Sequence, residues 1–447
     1  MPVDFVYRIE QPHRTGMLAR VCRAIADGDG LIGDIQTISI GAERSIRDIS
    51  VEVRDIGRAH RLAEIIGSID EVRVIDHHDR AIDRHVGGKI EVVPRISITS
   101  LQDLRDVYVP GVARVCRTIE GDPAQANRFT WIGRTVAVCS NGTRVLGLGD
   151  IGPLPSMPVL EGKAIFYTAF TDLNAVPILV DETHPDAFVR TMLAIAPSFG
   201  AIHLEDIRVP ECFEIEKRLI EALDVPVMHG DVHGTAVAAL AAIQGACAQL
   251  GRPLERQTIG QIGLGAAGFG IASLAKDAGA KAVMATDPDP LAQTHADANG
   301  IEIADFETVM ARADIVVAAT GRPGLIGSEM VRAGQVIFAL TNPEPEIEPP
   351  VAIRAGAAFA ADGAAVNNVL GFPGIFLGAL SCGARTITTR MKLAAAQAIV
   401  KLTRQSELVP DPLDRNVHRR VAGAVASAAR AEGLDRPDRI PPGLTLR

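Results

Sequence analysis

The sequence predicts an α/β protein that begins with a small α+β module and ends in helices. Three observations support this fold class. Residues 1–85 read in the order β-α-β-β-α-β, apolar strands alternate with helices through 86–250, and a strand, a glycine-rich turn and a helix follow from Gln257. Such alternation is typical of parallel sheets covered by helices. We therefore predict four regions, with bounds 1–85, 86–250, 251–390 and, for C-terminal helices, 391–447.

Composition restricts the classes of function. A net charge of −9 argues against the basic surface of nucleic-acid-binding or membrane-surface proteins. The six cysteines contain no CxxC pair, which is typical of a reducing compartment and argues against disulfides or structural zinc. Charged residues interrupt the N-terminus, and the longest apolar stretch is too short to cross a bilayer. We expect a cytoplasmic protein with no nucleic-acid or membrane partner.

The N-terminal region has the strand and helix order of a ferredoxin-like module. Its first turn into a helix, HRTGML at residues 13–18, resembles that of an ACT domain, a small-molecule sensor often fused to metabolic enzymes. The resemblance implies an effector, commonly an amino acid, bound near residues 13–18 between two such modules. The alternative is an oligomerisation module without a ligand. Either way, we expect a homodimer or a larger homo-oligomer.

Three carboxylates mark the second region. Glu205 and Asp206 follow one short apolar run, and Asp231 follows another. Both positions are typical of the ends of buried strands, where α/β sheets bind ligands. Oxygen donors of this kind suit Mg²⁺ or Mn²⁺ better than zinc. The alternative is an exposed acidic pair and a separate helix cap.

Two histidines four residues apart, His229 and His233, suggest a competing zinc site of the HExxH type. Gly230 stands where the glutamate of that motif would be, and Gly230 and Gly234 argue against a helix. We therefore expect both histidines to be polar loop residues beside the site, and not ligands of a zinc hydrolase.

The third region carries a dinucleotide fingerprint in the expected setting. A strand, the GLGAAG turn, a helix and a second strand ending in Asp287 occur in order. Such glycines let the backbone approach a pyrophosphate, and the acid would accept from ribose hydroxyls, which favours NAD over NADP. The alternative is glycines that serve packing alone. The predicted nucleotide-binding residues are Gly263, Gly265, Ala266, Ala267, Gly268, Asp287, Thr320 and Asn342.

Residues from about 105 to 400 resemble the malic enzyme family. The matching stretches include YVPGVA from Tyr108, NGTRVLGLGDIGP, PVLEGKA, PSFGAIHLEDI, HGTA, GLGAAG, TNPEPEI and NNVLGFPGIF. The resemblance implies a two-part α/β enzyme that decarboxylates malate oxidatively to pyruvate, using NAD and a divalent cation.

The resemblance also implies a role for each matching residue. Glu205, Asp206 and Asp231 fall on the metal ligands, Lys163 on the general base and Tyr108 on the general acid. The implied substrate-binding residues are Arg144, Asn342, Asn367 and Asn368. A lysine acts as a base only if its pKa falls well below the unperturbed value of ~10.4.

One departure from the family pattern concerns that base. Gly230 stands where the family commonly has an aspartate coupled to the lysine. If the loss weakens the site, Gly230→Asp should raise turnover. Two alternatives therefore stay open: a malolactic-type or oxaloacetate decarboxylase, and a catalytically weakened sensor of nucleotide and effector.

Overall fold

A computed structural model describes residues 3–145, 147–363, 366–404, 407–444 and 446 of the chain. The chain forms two compact units, Met1–Glu91 and Val92–Arg447.

The first unit is an antiparallel sheet with helices packed on it. Its strands β1 to β4 are Val3–Pro12, Leu31–Ile40, Arg44–Val53 and Arg73–Asp79. Its helices α1 to α3 are Met17–Asp27, Ile56–Gly67 and Arg80–Asp83. The sheet order is β2-β3-β1-β4, so the observed topology is the ferredoxin-like one.

Alternation along β1 builds the core of this unit. Tyr7 and Ile9 point to the same face of the strand and are fully buried, against Val21 and Ile25 of α1. The sequence pattern predicts the second helix of this unit from His60 to Gly67, whereas helix α2 begins at Ile56. The reason is a cap in which the Asp55 side chain accepts the N–H of the third helical residue at 2.8 Å.

The second unit contains two parallel sheets. The four-stranded sheet has the order β6-β5-β7-β8, and the six-stranded sheet has the order β11-β10-β9-β12-β13-β14. The second order is that of a Rossmann fold, with the first strand at the centre. Strands β5 to β14 are Thr135–Ser140, Asn174–Leu179, Ala201–Leu204, Val227–His229, Thr258–Ile262, Ala282–Thr286, Glu302–Ile303, Ile315–Ala318, Val336–Ala339 and Phe359–Asp362.

Helices cover both sheets and close the C-terminal part. Helices α4 to α17 are Leu101–Val107, Gly111–Gly121, Ala126–Phe129, Pro153–Phe170, Pro185–Ile195, Glu211–Ala222, Thr235–Gln249, Ala266–Asp277, Pro290–Ala298, Phe306–Arg312, Pro349–Arg354, Phe372–Ser381, Thr389–Leu402 and Arg415–Ala431. The alanine-rich α10 is buried along most of its length, as its composition predicted. Within the described ranges, no helix combines the length and the apolar character needed to cross a membrane.

Three local predictions in this unit were wrong. The apolar run VLGLG predicts a strand, but Val145 bridges Gly149 across a tight turn, and Leu146 lies outside the described residues. The sequence also predicts a helix with Pro158 near its start. Helix α7 instead begins at Pro153, where a missing N–H costs nothing, so Pro158 lies inside it. The glycines at 230 and 234 do not prevent helical structure, because residues Gly230–Gly234 form a π-helical turn that leads into α10.

Candidate active site

The three predicted carboxylates lie together at the carboxyl ends of two neighbouring strands. Glu205 and Asp206 directly follow β7, Asp231 follows β8, and these strands pair in parallel. One oxygen from each residue lies within 4.8 Å of the others. Neighbouring oxygen ligands of octahedral Mg²⁺ are about 2.9 Å apart, so the three carboxylates would move closer together to bind one ion. The donor set is entirely carboxylate oxygen, as Mg²⁺ and Mn²⁺ prefer.

The backbone holds Asp206 in an uncommon conformation. Its φ of 54° lies in the left-handed region, which costs free energy for a residue other than glycine. Two hydrogen bonds compensate: its carbonyl accepts the Arg144 N–H at 3.1 Å, and its own N–H donates to Asp231 Oδ2 at 3.0 Å. The second bond joins the ends of β7 and β8 and fixes the spacing of the acids.

Lys163 extends from α7 into this cluster. Its side chain is almost fully buried, and Nζ lies 2.7 Å from Glu205 Oε1. Nζ also donates to Asn368 Oδ1 at 3.3 Å and lies 4.9 Å from the centre of the Phe372 ring. The structure thus brings together the predicted base, a predicted metal ligand and a predicted substrate-binding asparagine from distant parts of the chain.

The charges in the cluster determine the pKa values. Burial alone would lower the pKa of Lys163, but the negative charges of Glu205 and Asp231 outweigh it and raise that pKa above its ordinary value. Burial would raise the pKa of Glu205, yet Lys163 and a hydrogen bond from His203 lower it well below the usual range. Burial and the Glu205 charge raise the pKa of Asp231. With the protein's own charges, therefore, Lys163 is an ammonium, the opposite of what a base requires.

Two residues that the sequence analysis missed lie behind Glu205. His203 Nε2 lies 2.9 Å from Glu205 Oε2, and His203 Nδ1 lies 2.9 Å from the Tyr167 hydroxyl. Both side chains are fully buried. The signal was present in the spacing: residues i and i+2 of a strand share a face, and Tyr167 lies one helical turn after Lys163.

Gly230 lies against the same pair. A Cβ added there would collide with Glu205 Oε2 and His203 Nε2. The aspartate that the resemblance suggested for this position therefore does not fit without displacing a candidate metal ligand.

The dinucleotide turn has the close approaches that need glycine. Gly263 adopts φ 88°, and a Cβ there would lie 2.5 Å from the Ala319 carbonyl oxygen. A Cβ on Gly268 would collide with the Gly263 carbonyl. Gly265, Ala266 and Ala267 form the start of α11, whose N–H groups a pyrophosphate would meet.

Asp287 ends β10 beside this turn. Its Oδ2 accepts the Leu264 N–H at 2.6 Å, and its Oδ1 accepts the Asp289 N–H at 2.8 Å. Two backbone N–H groups thus orient the carboxylate next to the predicted ribose position.

The sequence analysis also missed Glu346, which joins the loops that follow β12 and β13 at the predicted nucleotide-binding edge of the sheet. Glu346 is fully buried and accepts from the N–H and the hydroxyl of Thr320, both at 2.8 Å. It also accepts from the Thr341 hydroxyl at 2.5 Å, directly before Asn342. Asn367 caps the turn before α15 by accepting the Val369 N–H at 3.0 Å.

Two predicted site residues are not brought into the cluster by their side chains. Tyr108 is 67% exposed, and among the described residues no hydrogen bond joins its hydroxyl to Lys163 or the acids. The Arg144 side chain is exposed, although its backbone supports Asp206.

The two histidines of the HExxH-like motif both contact Glu216, His229 through its backbone and His233 through its ring. Glu216 on α9 accepts the His229 N–H at 2.7 Å, and its Oε2 lies 3.0 Å from His233 Nε2. His233 Nδ1 lies 3.1 Å from Lys392 Nζ. His229 is fully buried, so it is not a loop residue of the polar kind that the sequence suggested. Burial would raise the pKa of Glu216, but the neighbouring His233 lowers it to about 2.

A Rossmann-type sheet beside a buried lysine and converging carboxylates defines an α/β oxidoreductase. Residues 87–220 match the family model "Malic enzyme, N-terminal domain" and 359–430 match "Malic enzyme, NAD binding domain". The chain is 46% identical to NAD-dependent malic enzyme 1 of Bacillus subtilis, over 94% of this chain and 96% of that protein. The chain therefore belongs to the malic enzyme family.

Other similarities agree with this family. Residues 233–322 match the NAD-binding domain of D-isomer specific 2-hydroxyacid dehydrogenases. The NAD-dependent malic enzyme of Geobacillus stearothermophilus is 39% identical, over 95% of this chain and 94% of that protein. The crystal structure of the Pyrococcus horikoshii malic enzyme superposes with a TM-score of 0.76 at 37% identity, covering 80% of this chain and 91% of that chain.

Proposed function

We propose that the protein oxidises malate with NAD and decarboxylates it to pyruvate and CO₂. The observation that carries the proposal is Lys163 Nζ at 2.7 Å from Glu205, inside a cluster of three carboxylates. The B. subtilis relative, an NAD-dependent malic enzyme, supports the same activity.

We propose that Glu205, Asp206 and Asp231 hold one Mg²⁺ or Mn²⁺, because their oxygens converge to within 4.8 Å. When bound, the cation would offset the carboxylate charges and supply Lewis acidity to the oxygen that is oxidised. With those charges offset, the remaining effect on Lys163 is burial, which lowers its pKa. A lysine with a lowered pKa can act as the general base.

In this proposal Lys163 would take the proton of the C2 hydroxyl, and NAD, when bound, would supply the acceptor for the hydride of C2. Asn368 holds the amine through its 3.3 Å hydrogen bond, so that the lone pair of neutral Lys163 faces the substrate. Arg144, Asn342 and Asn367 would contact the carboxylates of malate. The walls of the cluster exclude water, since Lys163 and Glu205 are almost fully buried.

NAD would bind at the carboxyl edge of the six-stranded sheet. The glycine turn and α11 would receive the pyrophosphate, and Asp287 would accept from the ribose hydroxyls. Its negative charge would repel a 2′-phosphate, which supports NAD over NADP.

We propose that Tyr108 is the acid that protonates C3 and that the enzyme is a homo-oligomer. Tyr108 belongs to a stretch of exposed apolar residues, and burying them in an assembly would be favourable. These are Val92, Val93, Ile96, Ile98, Leu101, Leu104, Val107, Tyr108 and Val109. Light scattering tests the assembly, and Tyr108→Phe tests the acid, since turnover should fall while NAD binding persists.

The first unit is proposed to be an ACT-type regulatory module. Its supporting feature is the exposed turn at residues 13–16 between β1 and α1, where Gly16 adopts φ 87° with open space around it. Thermal melting with each amino acid tests the proposal. A shift with one of them supports an effector, and no shift with any favours the oligomerisation module.

A single assay of the purified protein tests the reaction. With malate, Mn²⁺ and NAD, we expect NADH and pyruvate to form in equal amounts. Lactate without net NADH would instead support a malolactic reaction, and NAD binding without product would support the weakened sensor. The bifunctional malic/malolactic enzyme of B. subtilis, 37% identical over 78% of this chain, is a suitable reference for that comparison.

A further inference from the structure

We propose that Tyr167 and His203 form a positioning pair that orients the Glu205 carboxylate, and that Gly230 is the residue that makes room for it. The proposal rests on the function proposed above, because it assigns Glu205 to a divalent cation and to Lys163. Neither the fold nor the family resemblance assigned Tyr167 or His203 to the reaction, and the resemblance treated Gly230 as the loss of an aspartate.

The hydrogen bonds define one arrangement of protons. As a ligand of the proposed cation Glu205 accepts hydrogen bonds, so His203 Nε2 donates to Oε2 at 2.9 Å. His203 Nδ1 is then an acceptor, and the Tyr167 hydroxyl donates to it at 2.9 Å. The chain Tyr167–His203–Glu205 therefore satisfies every polar atom along it.

Aromatic packing prevents the imidazole from turning. The His203 ring stacks on Phe376 at 5.4 Å between centroids and lies 5.1 Å from Phe372. Tyr167 packs against the same two phenylalanines at 5.8 Å and 5.2 Å. Since all four rings are buried, the donor that faces Glu205 is held in one place.

The two oxygens of Glu205 therefore have different partners. His203 holds Oε2, and Lys163 contacts Oε1. Without the histidine, the carboxylate could rotate about its last bond, and either oxygen could pair with Lys163. A rotating carboxylate would bind a cation more weakly and would leave the amine poorly aligned with the substrate.

The positioning pair requires glycine at position 230, so the missing aspartate is not a defect of the site. A Cβ at 230 would collide with both atoms of the His203–Glu205 hydrogen bond. Any larger residue must displace the imidazole, the carboxylate or both. A side chain at position 230 would therefore occupy space that the histidine at position 203 needs.

The test measures Mn²⁺ binding to the full-length protein by electron paramagnetic resonance, without malate or NAD. His203→Met removes the donor at similar volume, and we expect about 10- to 100-fold weaker binding. His203→Gln places an amide N–H within reach of Oε2 and should recover most of the affinity. Tyr167→Phe, the conservative change, should weaken binding less, because the ring still holds His203 in place.

Folding and nucleotide binding serve as controls in the same samples. NAD affinity and the thermal midpoint should stay close to those of the unmodified protein in His203→Gln and Tyr167→Phe. Unchanged Mn²⁺ affinity in His203→Met, or equal loss in the Met and Gln variants, would overturn the positioning role. If the unmodified protein binds Mn²⁺ but does not turn over malate, the proposed function fails, while these affinities still decide the positioning role.

A double variant tests the link to Gly230. Gly230→Ala should weaken Mn²⁺ binding about as much as His203→Met does, since both displace Glu205. The two changes together should cost little more than one of them, because they disrupt the same hydrogen bond. Losses that multiply would mean that the positions act independently, and this would overturn the assignment of Gly230.

Discussion

Two buried glutamates of the second unit, Glu205 and Glu216, have neighbours of the same types, yet the pKa values of their neighbouring lysines shift in opposite directions. Glu205 contacts His203 and Lys163, and its pKa is lowered. Glu216 contacts His233, whose other nitrogen meets Lys392, and its pKa is lowered to about 2. Each is thus an ionised carboxylate held by a histidine near a lysine.

The lysines differ. Lys163 contacts its glutamate directly and feels Asp231 as well, so its pKa is raised despite burial. Lys392 reaches Glu216 only through the His233 ring, so burial prevails and lowers its pKa. The number and distance of the carboxylates therefore decide the direction of each lysine's pKa shift, because negative charge outweighs burial only at Lys163.

Replacing the two lysines gives the largest contrast. Lys163→Met should reduce malate oxidation by about 10³-fold, since a positioned general base contributes roughly that factor. Lys392→Met should change turnover only a few-fold, because Lys392 contacts a histidine behind the site. Steady-state kinetics with malate, Mn²⁺ and NAD compare the two.

NAD binding is the control for both variants and should be retained. Comparable turnover in Lys163→Met and the unmodified protein would remove Lys163 as the base. Equal losses in the two variants would mean that the difference between the clusters has no role in catalysis.

Glu216→Gln should destabilise the fold by an amount that depends on pH. The folded-state pKa is about 2 against an ordinary 4.5, so the carboxylate contributes stability above pH 4.5 and loses it as pH falls towards 2. The lowered pKa of Glu216 therefore predicts a loss on the order of 3 kcal/mol at pH 7. Urea unfolding of both proteins between pH 7 and pH 3 measures the difference, which should narrow in acid. A gap that does not change with pH would mean that packing, and not charge, makes Glu216 stabilising.

The sequence was informative where local pattern determines structure. Parallel strands bring their carboxyl ends to one edge, so Glu205 and Asp231 could be predicted to converge from the apolar runs before them. The glycine turn and Asp287 could be predicted equally well, because the chemistry of a dinucleotide fixes their spacing along the chain.

Contacts between distant segments could not be predicted in this way. His203 and Tyr167 matter because α7 packs against β7, and Gly230 matters because β8 brings it beside them. The sequence alone indicated only that an acid is missing at Gly230. The structure shows that a side chain there would collide with the hydrogen bond between His203 and Glu205. The exposed position of Tyr108 likewise depends on packing that local pattern does not encode.

Added Mn²⁺ should distinguish the two clusters through its effect on the free energy of unfolding, which is the smallest and most specific of the expected effects. At about 100 times its dissociation constant, a ligand that binds only the folded state stabilises it by about 2.7 kcal/mol. Glu216→Gln should keep this gain, because its cluster lacks the further carboxylates that converge around Glu205. Asp231→Asn should lose most of it.

Without Mn²⁺ the sign for Asp231→Asn reverses. Burial and Glu205 raise the pKa of Asp231, so its charge destabilises the folded state at neutral pH, and the neutral amide should melt no lower than the unmodified protein. The amide oxygen can still accept the Asp206 N–H that now donates at 3.0 Å. A variant that is as stable as the parent alone, yet gains nothing from Mn²⁺, would identify a carboxylate retained for the cation at a cost to folding. A full Mn²⁺ gain in Asp231→Asn would instead locate the cation elsewhere and leave the two glutamates equivalent.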